Sequence, residues 1–294
     1  MRIIIGSEGM GCWGNKIINY LLYKLNYKNI EYKNIDECAF IIASHFIDEE
    51  QLWNTKKKKY IYWSGESYIP ENNKNQTTYI YILSTLESIN NYIYIPYALI
   101  SPHIYKKRKY TNLNREYLLA YCNSHKVKER ELLFDIFVEK TNINLCHSYG
   151  ACTGSYEQTK KNNISNDHDD EQLIDIYKNY TFVIAMENKC VDGYVTEKII
   201  NAFYSGAIPI YWGSSNITKF FNKNAFINVN DFETFEKCVE YVIKMDTEKI
   251  KQMTQEPIYQ NNDLINLLND VYNNKYDNKI LNEYLNILNQ FLIF

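Results

Sequence analysis

Glycine and proline are scarce in this chain, at ten and five residues of 294. No Walker A sequence occurs, so the glycine-cradled phosphate loop of that class is absent. The seven cysteines are scattered and form no C-x-x-C pair and no Cys/His set with zinc spacing. An odd, dispersed set suits reduced thiols in a cytosol-like compartment. A basic excess is missing too. The formal net charge is −3, whereas a generic nucleic-acid binder carries a basic footprint. No stretch approaches the ~20 apolar residues of a membrane-spanning helix. The N-terminal run "RIII" is too short for a secretory leader. A cytoplasmic protein is the expectation. The C-terminal "YLNILNQFLIF" has two readings, a packed terminal helix or a peripheral membrane contact.

What the chain does have is apolar and aromatic content, 46% hydrophobic with 28 tyrosines, a folded composition. Its length suffices for two ordinary domains. Short β-branched runs alternate with segments of helical period. Strands are expected at 2–6, 39–44 and 59–67, the last ending in a loop, and at 91–99, a strand or extended segment broken by Pro96, with a helix at about 14–25 where Ile17, Ile18, Leu21, Leu22 and Leu25 recur at helical spacing. The polar, basic stretch 100–115 reads as a linker or a long surface loop. The alternation then restarts. Strands are expected at 116–124, 142–150, 181–188, 207–212 and 225–232, and helices at 128–140, 169–180, 197–205 and 235–245. Two such series predict an α/β protein with two Rossmann-like domains, parallel sheets in each, facing a central cleft. The expected divisions are 1–110, 111–275 and a helical tail at 276–294.

In parallel α/β sheets ligands bind beyond the carboxyl ends of the strands, so the polar residues there are the ones to read. "FVIAMENKCVDGYVTEK" places Glu187 and Asn188 at such an end, then Thr196 as a helix N-cap, then Glu197 and Lys198 in the first turn. Lys198 is misplaced by ordinary rules, because a helix N-terminus is already positive. Two readings stand side by side: a solvated surface pair, or an anion site in which backbone N–H groups and Lys198 hold a phosphate while Glu197 accepts from sugar hydroxyls. Gly206 reads as a helix C-cap. His45 and His125 also sit at strand ends, and Trp13 and Trp63 suit either sugar stacking or core packing.

The stretch "FVIAMEN…GYVTEKIINAFYSGAIPIYWGSSNI" resembles the signature of the α-1,3/1,4-fucosyltransferases, glycosyltransferase family 10, and is most similar to its bacterial members. The segments "YIYWSGESYIP", "CNSHKVKERELLFDIF" and "AFINVNDFETFEKCVEYV" also resemble family segments. This resemblance implies a GT-B fold, with an N-terminal acceptor domain and a C-terminal donor domain. It implies inverting transfer of L-fucose from GDP-β-L-fucose to a hydroxyl of an oligosaccharide or glycoconjugate, of α-1,3 type on a GlcNAc- or Glc-containing acceptor. It implies no metal and no further cofactor. By the same resemblance Glu66 is the general base. Arg130, Glu187, Asn188, Tyr194, Glu197 and Lys198 are donor-binding, with Glu197 at the ribose and Arg130 and Lys198 at the diphosphate. Two positions depart from the pattern: Ser215 stands where relatives often carry Pro, and Asp192 lies in an atypical loop.

Three alternatives remain at this point. One is a metal-dependent transferase using Asp167-His168-Asp169, although those acids also suit the start of the helix expected near 170. Another is an inactive sugar-binding protein on the same scaffold. The third is the same chemistry with another GDP-sugar.

Overall fold

The computed structural model describes residues 3–7, 22, 30–32, 40–44, 59–69, 79–86, 92–100, 107–112, 114–157, 171–260, 285–287 and 290. Asp167-His168-Asp169, Trp13, His45 and all of the helix expected at 14–25 except Leu22 lie outside these residues. Leu22 is helical and fully buried. Chain contacts define two units, residues 1–96 with 263–294 and residues 97–262.

The first unit holds a six-stranded sheet in the order β2-β1-β3-β4-β5-β6, every pair parallel. Its strands are β1 (Ile3–Ser7), β2 (Ile30–Tyr32), β3 (Phe40–Ser44), β4 (Lys59–Ser64), β5 (Tyr79–Leu83) and β6 (Tyr92–Tyr94). In β4 every residue after Lys59 is buried. A strand covered on both faces has no reason to alternate polar and apolar, which explains the continuous run "YIYW". The short β2 and the run "YIYIL" of β5 were not among the expected strands.

The second unit carries a five-stranded parallel sheet in the order β11-β10-β9-β7-β8. Its strands are β7 (Tyr117–Asn123), β8 (Cys146–Gly150), β9 (Tyr180–Ile184), β10 (Ile208–Tyr211) and β11 (Ile227–Asn228). Its helices are α1 (Lys128–Lys140), α2 (Glu171–Tyr177), α3 (Glu197–Tyr204), α4 (Phe235–Ile243) and α5 (Thr247–Gln255). Leu119, Tyr121, Phe182, Ile184, Ile208 and Ile210 of the sheet share a core with Leu133, Phe134 and Phe137 of α1 and Val239 and Val242 of α4. Pro209 sits in an internal strand without breaking a ladder. It pairs with Val183 of β9, and β11 joins only from Ile210 onward. Gly206 takes φ +78° and its N–H donates to the Phe203 carbonyl at 2.9 Å, so it ends α3 as its position predicts.

Strand order locates the functional end. The chain passes from β7 to β8 on one side, then crosses to β9 on the other side of β7. The connections therefore diverge between β7 and β9, and the crevice above their carboxyl ends is where such a sheet takes ligands. The residues just past those ends are Asn123 to Lys128 after β7 and Ala185 to Lys198 after β9.

Candidate active site

Both helices that follow the diverging strands begin with a cation in their first turn. Arg130 occupies the first turn of α1 and Lys198 that of α3. Each faces the positive end of its own helix dipole, a placement that ordinarily costs about 0.3–1 kcal/mol. The neighbours of each cation differ.

Arg130 is fully buried. Its Nη1 donates to Asn123 Oδ1 at 2.6 Å and the Met186 carbonyl at 3.3 Å. Its Nη2 donates to the His125 carbonyl at 2.9 Å and Asn188 Oδ1 at 3.0 Å. All four acceptors are neutral. Among the described residues, Arg130 Nε and Asn123 Nδ2 are buried donors with no hydrogen-bond partner. Arg130 thus ties the end of β7 to the loop after β9, and among the described residues it forms no ion pair with a carboxylate.

Lys198 is held by acids. Its Nζ lies 3.6 Å from Glu187 Oε2 and 3.4 Å from Glu197 Oε1, and it donates to Thr196 Oγ1 at 3.1 Å. Glu187 is fully buried and accepts from the Thr196 N–H at 2.7 Å and the Thr196 hydroxyl at 2.8 Å. Burial is the largest influence on Glu187 and raises its pKa. Lys198 and the Thr196 bonds oppose that shift, and Glu197 adds to it. For Lys198 burial also acts most strongly and pulls its pKa down. Glu197 and Glu187 outweigh it, so the ammonium ends above its ordinary value, with Arg130 working against them. The Lys198 side chain keeps 18% of its surface exposed, against none for Glu187.

Thr196 corrects one expectation. It occupies the N-cap position of α3 in an extended conformation, but its side chain makes no cap hydrogen bond. Its hydroxyl serves Glu187 instead, because a buried charged carboxylate is more costly to leave short of donors than a neutral backbone N–H is to leave short of an acceptor.

The loops around this cluster are pinned. Ser214, fully buried, accepts from the Gly193 N–H at 2.9 Å and the Asn216 N–H at 3.2 Å. Cys190 Sγ donates to the Gly213 carbonyl at 2.8 Å, and Ser215 Oγ donates to Asp192 Oδ1 at 2.5 Å. The two positions that depart from the family pattern are therefore each other's partners. A Cβ on Gly213 would come within 2.7 Å of Glu187 Cγ, which keeps that position free of a side chain.

Residues 110–254 match the sequence profile described as glycosyltransferase family 10 (fucosyltransferase) C-term. That stretch belongs to glycosyltransferase family 10. An alpha-(1,3)-fucosyltransferase of Helicobacter pylori is 37% identical over 108 residues, covering 37% of this chain and 21% of that protein. The chain therefore spans about a fifth of the length of that relative. A crystal structure of an alpha1,3-fucosyltransferase is similar at TM-score 0.66 and 20% identity, covering 95% of this chain and 92% of that one. An alpha1,3-fucosyltransferase with GDP-fucose is similar at TM-score 0.61 and 19% identity, covering 94% and 92%. At these identities the likeness speaks for the fold, which is GT-B, as the resemblance of the sequence implies.

Within the family 10 domain, Arg130, Glu187, Asn188, Glu197 and Lys198 come together at the β7/β9 divergence. Tyr194 is buried on the loop between them, its carbonyl accepting from Tyr211 Oη at 3.5 Å. His125 contributes its carbonyl to Arg130, while its exposed ring meets Ser124 Oγ at 3.0 Å. Asn123 falls within the strand expected at 116–124, and nothing local in the sequence singles it out. Glu66 belongs to the other unit. It is partly exposed on the turn after β4, its N–H donating to Ser64 Oγ at 3.2 Å. Among the described residues no three His, Cys, Asp or Glu side chains group as a metal site. None of their helices is long and apolar enough to cross a membrane.

Proposed function

We propose that this chain is an inverting fucosyltransferase that moves L-fucose from GDP-β-L-fucose to a hydroxyl of a glycan acceptor. The observation that carries the reading is the pair of first-turn cations, Arg130 and Lys198, on the two helices after the diverging strands of a family 10 domain. A diphosphate is the ligand whose charge makes sense of both placements. Arg130 supplies a guanidinium that no carboxylate among the described residues pairs. Lys198, held forward by Glu187, adds a compact ammonium at the more exposed side of the cluster. As the glycosidic bond breaks, negative charge grows on the leaving GDP, and fixed cations stabilise it without reorganising. Glu197 and Tyr194 are the proposed contacts to the nucleoside, and Glu187 and Asn188 the proposed support of the phosphate end.

Glu66 is the proposed general base from the first unit. Single-step inversion needs one carboxylate to take the acceptor hydroxyl proton as that oxygen attacks. The reading includes metal-free chemistry, with the two cations in the place of a divalent ion, an α-1,3-type linkage on a GlcNAc- or Glc-containing acceptor, and a cytoplasmic location.

The deciding experiment is a donor screen by mass spectrometry over a glycan panel, with and without EDTA. Fucosylated product from GDP-fucose alone, unaffected by EDTA, is expected. Glu66→Gln is expected to abolish transfer while GDP affinity stays within about twofold. Full transfer by Glu66→Gln overturns the base assignment, and preferential use of another GDP-sugar overturns the donor assignment.

A further inference from the structure

The amino end of the second unit's sheet, opposite the edge that carries Glu187, holds a separate cluster of positive charge. A cavity of about 230 Å³ lies where α3 turns through Gly206 into β10, lined by Arg108, Arg115, Tyr110, Thr111, Thr254 and Gln255. Arg108 Nη2 donates to the Met253 carbonyl at 3.4 Å, and its guanidinium stacks 5.1 Å from the centroid of the Phe203 ring. Among the described residues its Nη1 is buried with no hydrogen-bond partner. Arg115 Nη1 donates to the Ser205 carbonyl at 3.4 Å and to the Lys178 carbonyl, and its Nη2 donates to the Tyr110 carbonyl at 3.4 Å.

Three of these acceptors lie at the carboxyl ends of α2, α3 and α5. Each such end carries at most about half a negative charge, so together they offset only part of two full positive charges. Among the described residues no carboxylate lines the cavity. The nearby acids are engaged elsewhere. Glu171 and Asp175 lie 2.6 and 3.6 Å from Lys109 Nζ, and Asp175 also accepts from Tyr110 Oη. Glu256 accepts from Asn222 Nδ2 at 2.9 Å. Burial, and then the neighbouring Arg115, lower the Arg108 pKa to about 10, the sign of a cation short of negative charge.

We propose that this cavity is a second anion site, distinct from the Glu187 cluster, that takes a small tetrahedral oxyanion, phosphate or sulfate, between Arg108 and Arg115. The guanidinium fork matches such an anion geometrically. The volume also fits, since it falls below the roughly 300–1,000 Å³ of pockets for drug-sized ligands. Occupancy fastens Arg108 and Arg115 onto the ends of α3 and α5.

Thermal unfolding of the full chain, titrated with inorganic phosphate and separately with sulfate against chloride at matched ionic strength, tests this. A saturable rise of roughly 3 °C at tenfold over half-saturation is expected with both anions. Lys198→Met is expected to retain the rise and Arg108→Gln to lose it, with GDP affinity of Arg108→Gln unchanged. A rise kept in Arg108→Gln and lost in Lys198→Met places the anion at the Glu187 cluster and overturns the proposal, as does no saturable rise in the wild type. Thr111→Glu guards against a folding defect in Arg108→Gln. With a carboxylate supplied in place, that variant should melt above Thr111→Gln in anion-free buffer and lose the phosphate response. Equal melting of the two overturns the proposal.

Discussion

Lys198 Nζ stands 3.6 Å from Glu187 Oε2, joining the first turn of α3 to the buried carboxylate just beyond β9. The contact explains how a lysine is tolerated at the positive end of a helix. Its charge is balanced by one acid from the preceding loop and one from its own helix. The contact also makes the protonation of Glu187 depend on Lys198.

Replacing Lys198 by Met should therefore change the pH profile of stability as well as donor binding. Glu187 already has a raised pKa, so the folded state holds its proton to higher pH than the unfolded chain does. Stability from this group falls as pH rises from the unfolded value, about 4.3, through the folded one. Lys198 is the main opposing charge, and its loss pushes the folded value further up. Urea midpoints between pH 4 and 8 should decline over a wider range in Lys198→Met than in the wild type. Parallel profiles contradict the coupling. GDP affinity should fall about 10- to 100-fold, the scale of one charge-assisted hydrogen bond, and calorimetric titration reads it.

Thr196→Val keeps the shape and removes the hydroxyl that donates to Glu187 Oε2 at 2.8 Å. A buried carboxylate left one donor short should cost about 1.5–3 kcal/mol in denaturant unfolding. Because that bond lowers the Glu187 pKa, its loss acts in the same direction as Lys198→Met. Thr196→Ser, which restores the hydroxyl, should recover most of the loss. A valine variant as stable as the wild type contradicts the role of the hydroxyl, and a serine variant as unstable as the valine one shows that packing of the γ-methyl contributes as well.

The elements of the second unit were legible because each buries one face against a sheet covered on both sides. Period and length separate α1, with Leu133, Phe134 and Phe137 inward, from β9, buried at every position but Thr181. Polar residues at strand ends pointed to Glu187, Asn188, Glu197 and Lys198 for the same topological reason. The partner of each side chain was not legible. Thr196 looks like a cap from its neighbours in sequence, and only the turn after β9 reveals that Glu187, nine residues earlier, claims its hydroxyl. Arg130 meets Asn123 and Asn188 from opposite sides in sequence, seven and 58 residues away. Periodicity reports which face is buried and carries no information on contacts across a crossover. The run "YIYIL" of β5 was missed because a five-residue apolar segment does not distinguish strand from helix by itself.

Among the five described cysteines, all free, only Cys190 is exposed. Burial raises Cys146 to about 11 and, with help from neighbouring Cys152 and Asp231 respectively, raises Cys122 and Cys238 to about 12. At pH 8 a brief maleimide pulse on the native protein should modify Cys190 well before Cys122, Cys146, Cys152 and Cys238, as peptide mass spectrometry will show. Cys190 also has a raised pKa, from burial first and then Asp192, so its labelling should still accelerate above pH 9. Early labelling of Cys146 or Cys238 contradicts the packing of the α1/α4 face.

Gly206→Ala tests a tight backbone approach in the second unit. Gly206 has φ +78°, which alanine adopts at a cost of about 1 kcal/mol or more. A Cβ there would also collide with the Tyr110 carbonyl and stand 2.7 Å from Arg115 Nη2. Tyr110 cannot easily retreat, because the Lys109 N–H donates to the Tyr204 carbonyl at 2.7 Å and Arg115 holds the Tyr110 carbonyl itself. The two effects together should cost about 2–4 kcal/mol, read from urea midpoints. Gly206→Asn separates them, since asparagine tolerates positive φ but still carries a Cβ. If the collision dominates, asparagine gives little relief. Recovery to near wild-type stability with asparagine shows that backbone conformation alone sets the requirement for glycine, and that the strap from Arg108 to Arg115 yields more readily than its hydrogen bonds imply.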